Sequence, residues 1–195
     1  THHVSALAYG NPDNVNVIYA ARDNYIFVRT GNTATYDRQF KIDSATTIKD
    51  IAIDPSNWQV AYAVDAAHVY VTVNGGTSWI ALTGSLATSA RNVGLSTVAI
   101  IKPAGSDVLL VGGQTGVWRA TNPIGAPGSA ATPNLKLSWD EFGFGLPNAL
   151  VRDLVYTPNL TGLPYGDVLS VATLGRGVFQ ITGLSARLAA PTSLT

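Results

Sequence analysis

Cysteine and methionine are both absent from this chain of 195 residues. Without cysteine no disulfide holds the fold, and no thiol chemistry is available. Without methionine residue 1 is not an initiator, so the chain reads as processed or truncated; His2-His3 are native or the stub of a tag. Charge is also scarce. Charged residues make up 12% of the sequence, against about a quarter in an average domain. Lys plus Arg equals Asp plus Glu at 12 each, so the formal net charge is zero. No basic stripe points to nucleic acid and no acidic tail to a cationic partner. Glutamate occurs once, at Glu141. No apolar run approaches the about 18 residues of a membrane span, and no signal peptide remains.

What is present is Val, Ile, Thr, Tyr, Gly and Asn, a balance that predicts an all-β fold. The chain is long enough to bury a sizeable core. It also repeats. Four segments share one grammar: an apolar strand ending near Pro, Asn or Gly, a second apolar strand, a short polar turn and a third strand. First strands start at Val4, Ile48, Leu95 and Val151, spaced by 44, 47 and 56 residues. Periods of about 40 to 50 residues with several strands each indicate propeller blades. A fourth, outer strand is expected at Thr35-Tyr36, at Ser78 to Leu82 and at Leu137 to Trp139. Each brings an aromatic, Tyr36, Trp79 or Trp139, expected to pack between blades. The third unit is lengthened by a Pro-, Gly- and Ala-rich excursion from Asn122 to Asn134. The fourth has no outer strand.

Thr72-Val73-Asn74-Gly75-Gly76-Thr77-Ser78-Trp79 is the most specific motif. Adjacent glycines permit the positive φ of a tight hairpin turn. Asn74 can bond the turn's own backbone, and Trp79 supplies a large apolar face. Thr72, Asn74, Gly76, Ser78 and Trp79 fill the slots of a known signature. The segment resembles the Asp-box, or BNR repeat, of sialidase-like β-propellers, with Asn where Asp is commoner. The resemblance implies a structural hairpin away from any active site. Leu146-Pro147-Asn148 and Gly175 to Phe179 resemble the closing blade of bacterial BNR propellers, and the tail resembles the opening of a fibronectin type III-like module.

These features predict a β-propeller segment of about four blades of four-stranded antiparallel sheets, the last incomplete. The blades fall at approximately 4–46, 47–93, 94–148 and 149–184, with 185–195 a linker toward a following module. The chain is expected to be the C-terminal portion of a longer secreted protein, with a closed four-blade ring as the competing arrangement. Remaining blades, another copy or another chain are expected against the open blade faces.

In such a fold the turns between second and third strands, and the inter-blade loops, open on the face around the central channel. The turns place Arg22, Asp23, Asp65, His68, Gln114 and Arg176 there as ligand candidates; the loops add Asp43-Ser44, Arg91 and Asn148. Glycoside hydrolysis generally needs two carboxylates flanking the scissile bond. Asp23 and Asp65 occupy equivalent turns in neighbouring blades, while Glu141 lies by an outer strand. Sialidases resembling this architecture use an arginine trio with Tyr and Glu, of which little is matched. Xyloglucanases resembling it place their acids in separate halves of a larger structure. An assembly-factor propeller like the BNR protein that helps build photosystem II shares the hairpins, but its basic docking patch is thin here. No phosphate loop, nucleophile elbow, zinc motif or calcium loop occurs, so no metal or cofactor is expected. Asn159-Leu160-Thr161 fits a glycosylation sequon. The reading is an extracellular or cell-surface recognition or structural module, binding a glycan or a protein without catalysis. The alternative is a fragment of a sialidase- or xyloglucanase-like glycoside hydrolase completed by missing blades.

Overall fold

The structure, a computed structural model, describes residues 3–88, 94–103, 106–125, 131–143, 146, 149–159 and 166–189. Runs of Val, Ile, Tyr and Ala, punctuated by Asn-Pro, Asp-Pro and Gly turns, form four antiparallel sheets. The first contains β1 (Ala6–Tyr9), β2 (Ile18–Arg22), β3 (Tyr25–Arg29) and β4 (Arg38–Lys41) in that spatial order. The second contains β5 (Asp50–Ile53), β6 (Ala61–Val64), β7 (Val69–Thr72) and β8 (Ile80–Ala81). The third contains β9 (Leu95–Ile101), β10 (Val108–Gly113), β11 (Gly116–Thr121) and β12 (Asp140–Phe142). The fourth stops at three strands, β13 (Val151–Thr157), β14 (Val168–Thr173) and β15 (Gly177–Thr182).

The sheets stack face to face in chain order. β1 packs on β5, β5 on β9 and β9 on β13, but β13 makes no comparable packing on β1. The described sheets therefore form an open arc around a shared channel, and not a closed ring. Burial follows from this. β6, β7 and β10 lie between two neighbouring sheets and are buried at every position. β15 has one uncovered face and alternates exposed with half-buried residues.

Three apolar clusters fill the spaces between sheets. Tyr19, Val28, Ile51 and Trp79 join the first sheet to the second. Tyr62, Val71, Val98 and Trp139 join the second to the third. Ile101, Leu110, Leu154 and Val171 join the third to the fourth.

The Thr72–Trp79 hairpin sits on the first of these seams. Thr72 Oγ1 donates to Asn74 Oδ1 at 2.9 Å and accepts Gly76 N–H at 2.9 Å. Asn74 Oδ1 also accepts Ser78 N–H at 3.0 Å, and its Nδ2 donates to Ser78 Oγ at 2.8 Å. Gly75 and Gly76 have φ of 68° and 82°. A Cβ at Gly76 would lie 2.4 Å from Val28 of the first sheet. Close approach as well as backbone conformation thus demands glycine. The Trp79 ring meets Tyr19 edge-on with centroids 6.2 Å apart.

Two expectations are corrected. Outer strands begin later than expected, at Arg38, Ile80 and Asp140. Trp79 and Trp139 are buried just before theirs, whereas Tyr36 is 48% exposed. Phe40 takes the seam position in the first sheet, and Tyr36 lies over Phe27 on the opposite face, 5.7 Å between centroids. Leu184–Ala189, across the start of the expected linker at 185–195, form a short helix α1, with Leu184 buried in the last cluster. Its start is tied down by Ser185, whose N–H and hydroxyl both donate to Asp167. Residues 190–195, Arg91, Asn148, Leu160-Thr161 and 126–130 of the excursion lie outside the described residues.

Candidate functional site

Each sheet's second-to-third-strand turn lies beside the start of its innermost strand, and this end was expected to carry the chemistry. Asp65 is in the β6–β7 turn, and its side chain has no exposure. Its carboxylate accepts N–H groups from Thr46 at 2.9 Å, Ala67 at 2.8 Å and His68 at 2.6 Å. Burial pushes its pKa up, but these donors together with the His68 side chain outweigh that and hold it below the usual carboxylate range. His68 Nδ1 lies 3.2 Å from Asp65 Oδ1, and Tyr70 OH donates weakly to Oδ2 at 3.5 Å. Asp65 therefore shapes its own turn and holds the entry to β5.

The other candidates are dispersed. Asp23 is exposed, with φ of 54°, and its carbonyl accepts Ile48 N–H at 2.8 Å. Arg22 pairs with Tyr25 in the ladder and projects over Phe27, its Cζ 5.2 Å from the ring centroid. It thus belongs to the uncovered face of the first sheet. Gln114 packs beside Gly94, where a Cβ would come 2.7 Å from it. Arg176 is exposed at the β14–β15 turn. Asp65 and His68 are brought together; Asp23 and Asp65 do not form a facing exposed pair, because Asp65 is buried. Glu141 lies on β12, paired with Trp118 at the sheet's outer edge.

The concave site lies toward the opposite end of the innermost strands. A cavity of about 750 Å³ is lined by all four of them: Leu7 to Gly10, Ile51 to Ile53, Val98 to Ile100 and Leu154 to Tyr156. Pro55, Lys102 and Pro158, from the first-to-second-strand turns, stand at its mouth. Such a volume is in the range of ligand pockets, roughly 300–1,000 Å³. The walls are almost wholly aliphatic, with Tyr9 and Tyr156 carrying hydroxyls. Tyr156 OH is occupied, donating to Asp167 at 3.0 Å.

Lys102 is the one charged residue of the lining. Its Nζ lies 2.8 Å from Asp54 and 2.9 Å from Asp107, and hydrogen bonds to both raise its pKa against the opposing effect of burial. The adjacent Tyr62 hydroxyl is buried, which with the two carboxylates pushes its pKa up. Asp54 is buried at the start of an Asp-Pro turn, where its Oδ1 accepts Ser56 N–H at 2.8 Å. The first sheet uses Asn11 in the same way for Asp13 N–H, and Asn11 Nδ2 donates to Asp54 O at 2.7 Å. The mouth is thus a rim of interlocked turns. Sequence reasoning missed this site because inner-strand apolar residues read as core. The available signal was the recurring Pro that follows each inner strand: Pro12, Pro55, Pro103 and Pro158. No group of three or more metal-ligating side chains occurs among the described residues.

Comparison with known proteins agrees with this geometry at the level of the fold. No protein-family model matches the sequence, and no curated protein matches it. Among solved structures, the GH74 xyloglucanase from Xanthomonas campestris superposes with a TM-score of 0.62 at 14% identity. The match covers 94% of this chain and 29% of that one. The fold is a β-propeller. YCF48 bound to a D1 peptide also matches, with a TM-score of 0.49, 13% identity, and coverage of 92% of this chain and 48% of that one. The chain thus spans less than half the length of either structure.

Proposed function

We propose that this propeller segment is a non-catalytic recognition module that binds a protein partner through the cavity of its inner strands, outside the cell or at its surface. The lining of that cavity carries the reading. A sugar brings many hydroxyls, and each one buried without a partner is costly. Here the aliphatic side chains offer none, Tyr156 OH is occupied, Lys102 is already shared by two carboxylates, and the Tyr9 hydroxyl is the remaining polar side-chain group of the lining. An apolar side chain on an extended peptide segment suits such walls, and burying it contributes about 1.5–3 kcal/mol. A glycoside hydrolase is the weaker reading, because Asp65 is spent on backbone donors. The extracellular placement and the reading of Thr72–Trp79 as an Asp-box both rest on the motif's resemblance to secreted propellers.

Arrays of extended peptides and of oligosaccharides, probed side by side, test the proposal. We expect peptide binding that depends on an apolar side chain and is lost in Pro55→Asp and Pro158→Asp, which place charge at the mouth. Oligosaccharide binding that survives both changes but is lost in Asp23→Asn or Arg176→Ala would refute it.

A further inference from the structure

The Thr72–Trp79 hairpin brings together an amide and a glycine that can react with each other. The sequence has one Asn-Gly step, Asn74-Gly75. In such a step the main-chain nitrogen of the glycine attacks the side-chain Cγ of the asparagine. The new C–N bond closes a succinimide and ammonia leaves. Water then opens the ring at either carbonyl, giving aspartate or isoaspartate. A following residue without Cβ leaves the attack unhindered, and here the fold requires that glycine. Gly75 has φ of 68°, and a Cβ on it would strike Arg38 and Trp58.

The same hairpin holds the reacting groups apart. Attack needs the Gly75 nitrogen deprotonated and turned toward Cγ. Gly75 is buried, and its N–H donates to Gln59 O at 2.8 Å. The Asn74 side chain is held across the turn by its bonds with Thr72 and Ser78. Arg38, from the first sheet, clamps the main chain of both residues. Its Nη1 donates to Asn74 O at 3.1 Å and to Gly75 O at 2.7 Å. The guanidinium in turn lies over Trp58, 5.7 Å from the ring centroid. Freeing the pair breaks these bonds together, which is a local opening of the hairpin.

The two products differ in fit. Aspartate keeps the oxygen that accepts from the Thr72 hydroxyl and Ser78 N–H. Its second oxygen replaces Nδ2, and the Ser78 hydroxyl turns to donate, so the same contacts become charge-assisted. The Arg38 guanidinium on the adjoining carbonyl oxygens is opposite in sign. Isoaspartate instead adds a methylene to the main chain beside Gly75, where there is no room for a Cβ.

We propose that Asn74 is a self-deamidation site gated by opening of this hairpin, and that the hairpin closes again over the aspartyl product but not over the isoaspartyl one. The reaction adds one negative charge to a chain of zero formal net charge. None of the residues involved lines the inner-strand cavity, so the outcome is separate from the recognition reading.

Peptide mapping by mass spectrometry tests the gating, with the full chain held in mildly alkaline buffer either folded or in urea. Deamidation at residue 74 is expected to be at least about tenfold slower in the folded chain, as for an opening that costs about 1.4 kcal/mol or more. Arg38→Ala removes the clamp and is expected to raise the folded rate several-fold, with the rate in urea unchanged. An unchanged far-ultraviolet spectrum verifies that this variant folds, and Ser78→Ala, which frees Asn74 Nδ2, serves as a second variant with the same expectation. Equal rates in the folded chain and in urea overturn the gating. So does a folded rate that neither variant changes.

Melting tests the products. Asn74→Asp is expected to melt at or above wild type at pH 7. Its carboxylate accepts the same donors, so its folded pKa falls below the unfolded value of about 3.9, and the gain is lost as pH falls through the folded value. Chain deamidated in urea and then refolded is expected to separate into an aspartyl form that melts with Asn74→Asp and an isoaspartyl form that melts lower. An Asn74→Asp chain that melts below wild type at pH 7 overturns the proposal, as does an isoaspartyl form that melts with Asn74→Asp.

Discussion

Asp50 and Val98 join the second and third sheets: the half-buried carboxylate accepts the main-chain N–H at 2.9 Å. Burial pushes the Asp50 pKa up, against the hydrogen bonds from Val98, Thr97 and Ile51, and the charge of Asp153 adds to the rise. A folded pKa above the unfolded one means that the carboxyl group favours folding most at low pH. That contribution is complete below the unfolded value, about 3.9, and is lost as pH rises through the folded value. Asp50→Asn keeps an acceptor for Val98 and removes the charge. Its melting temperature relative to wild type should therefore improve from pH 4 to pH 7. Asp50→Ala leaves the N–H unmet and should cost about 1–3 kcal/mol at either pH.

Asp65 has the opposite sign. Its pKa is held below the unfolded value, so its stabilisation is present above about pH 3.9 and lost as pH falls through the folded value. Asp65→Asn replaces one acceptor oxygen with a donor facing Thr46 N–H or the Ala67–His68 amides. We expect a loss of about 1–3 kcal/mol in urea denaturation at pH 7, and a smaller difference from wild type below pH 3. An unchanged denaturation midpoint would mean that the turn does not depend on the carboxylate.

Lys102 neutralises the side of the mouth where Asp54 is buried. Lys102→Met should destabilise by ~3–5 kcal/mol, because removal of one partner leaves the buried charge uncompensated. Lys102→Arg should recover part of that loss. Equal stability of the Met variant and wild type would show that Lys102 does not compensate the buried Asp54.

The Thr72–Trp79 hairpin is tested by two substitutions. Gly76→Ala imposes a left-handed alanine, about 1–2 kcal/mol, together with the clash against Val28. Trp79→Ala empties the seam and should cost about 3–5 kcal/mol. Calorimetric melting should rank Trp79→Ala as the larger loss. A Trp79→Ala protein that melts like wild type would mean that the ring does not support the seam with Tyr19.

The strand repeat was legible because each inner and second strand is an apolar run closed by a turn residue, and sheets buried on both faces keep such runs nearly unbroken. The incomplete fourth sheet was legible for the same reason. Outer strands were harder to place: Arg38–Lys41 and Ile80–Ala81 are short and mostly exposed, so periodicity carries little signal. Tyr36 looked equivalent to the tryptophans by position, but Phe40 two residues into β4 fills the seam instead. Asp65 looked like a solvated turn residue. Its burial depends on Thr46, 19 residues away in the chain, and spacing within the turn does not reveal that. Arg22 shows the same limit from the other side. It ends a strand, and strand-face parity puts it over Phe27 on the sheet face.

The most direct test of the proposed recognition site is methyl-resolved NMR of the Ile, Leu and Val labelled chain. It would be titrated separately with a short extended peptide carrying an apolar side chain and with a cello-oligosaccharide. The account predicts shifts for the peptide at Ile53, Ile100 and Val155, around the inner-strand cavity, and none for the sugar. Sugar-induced shifts at Leu174 and Val69, beside the second-to-third-strand turns, with the cavity methyls unmoved, would contradict it.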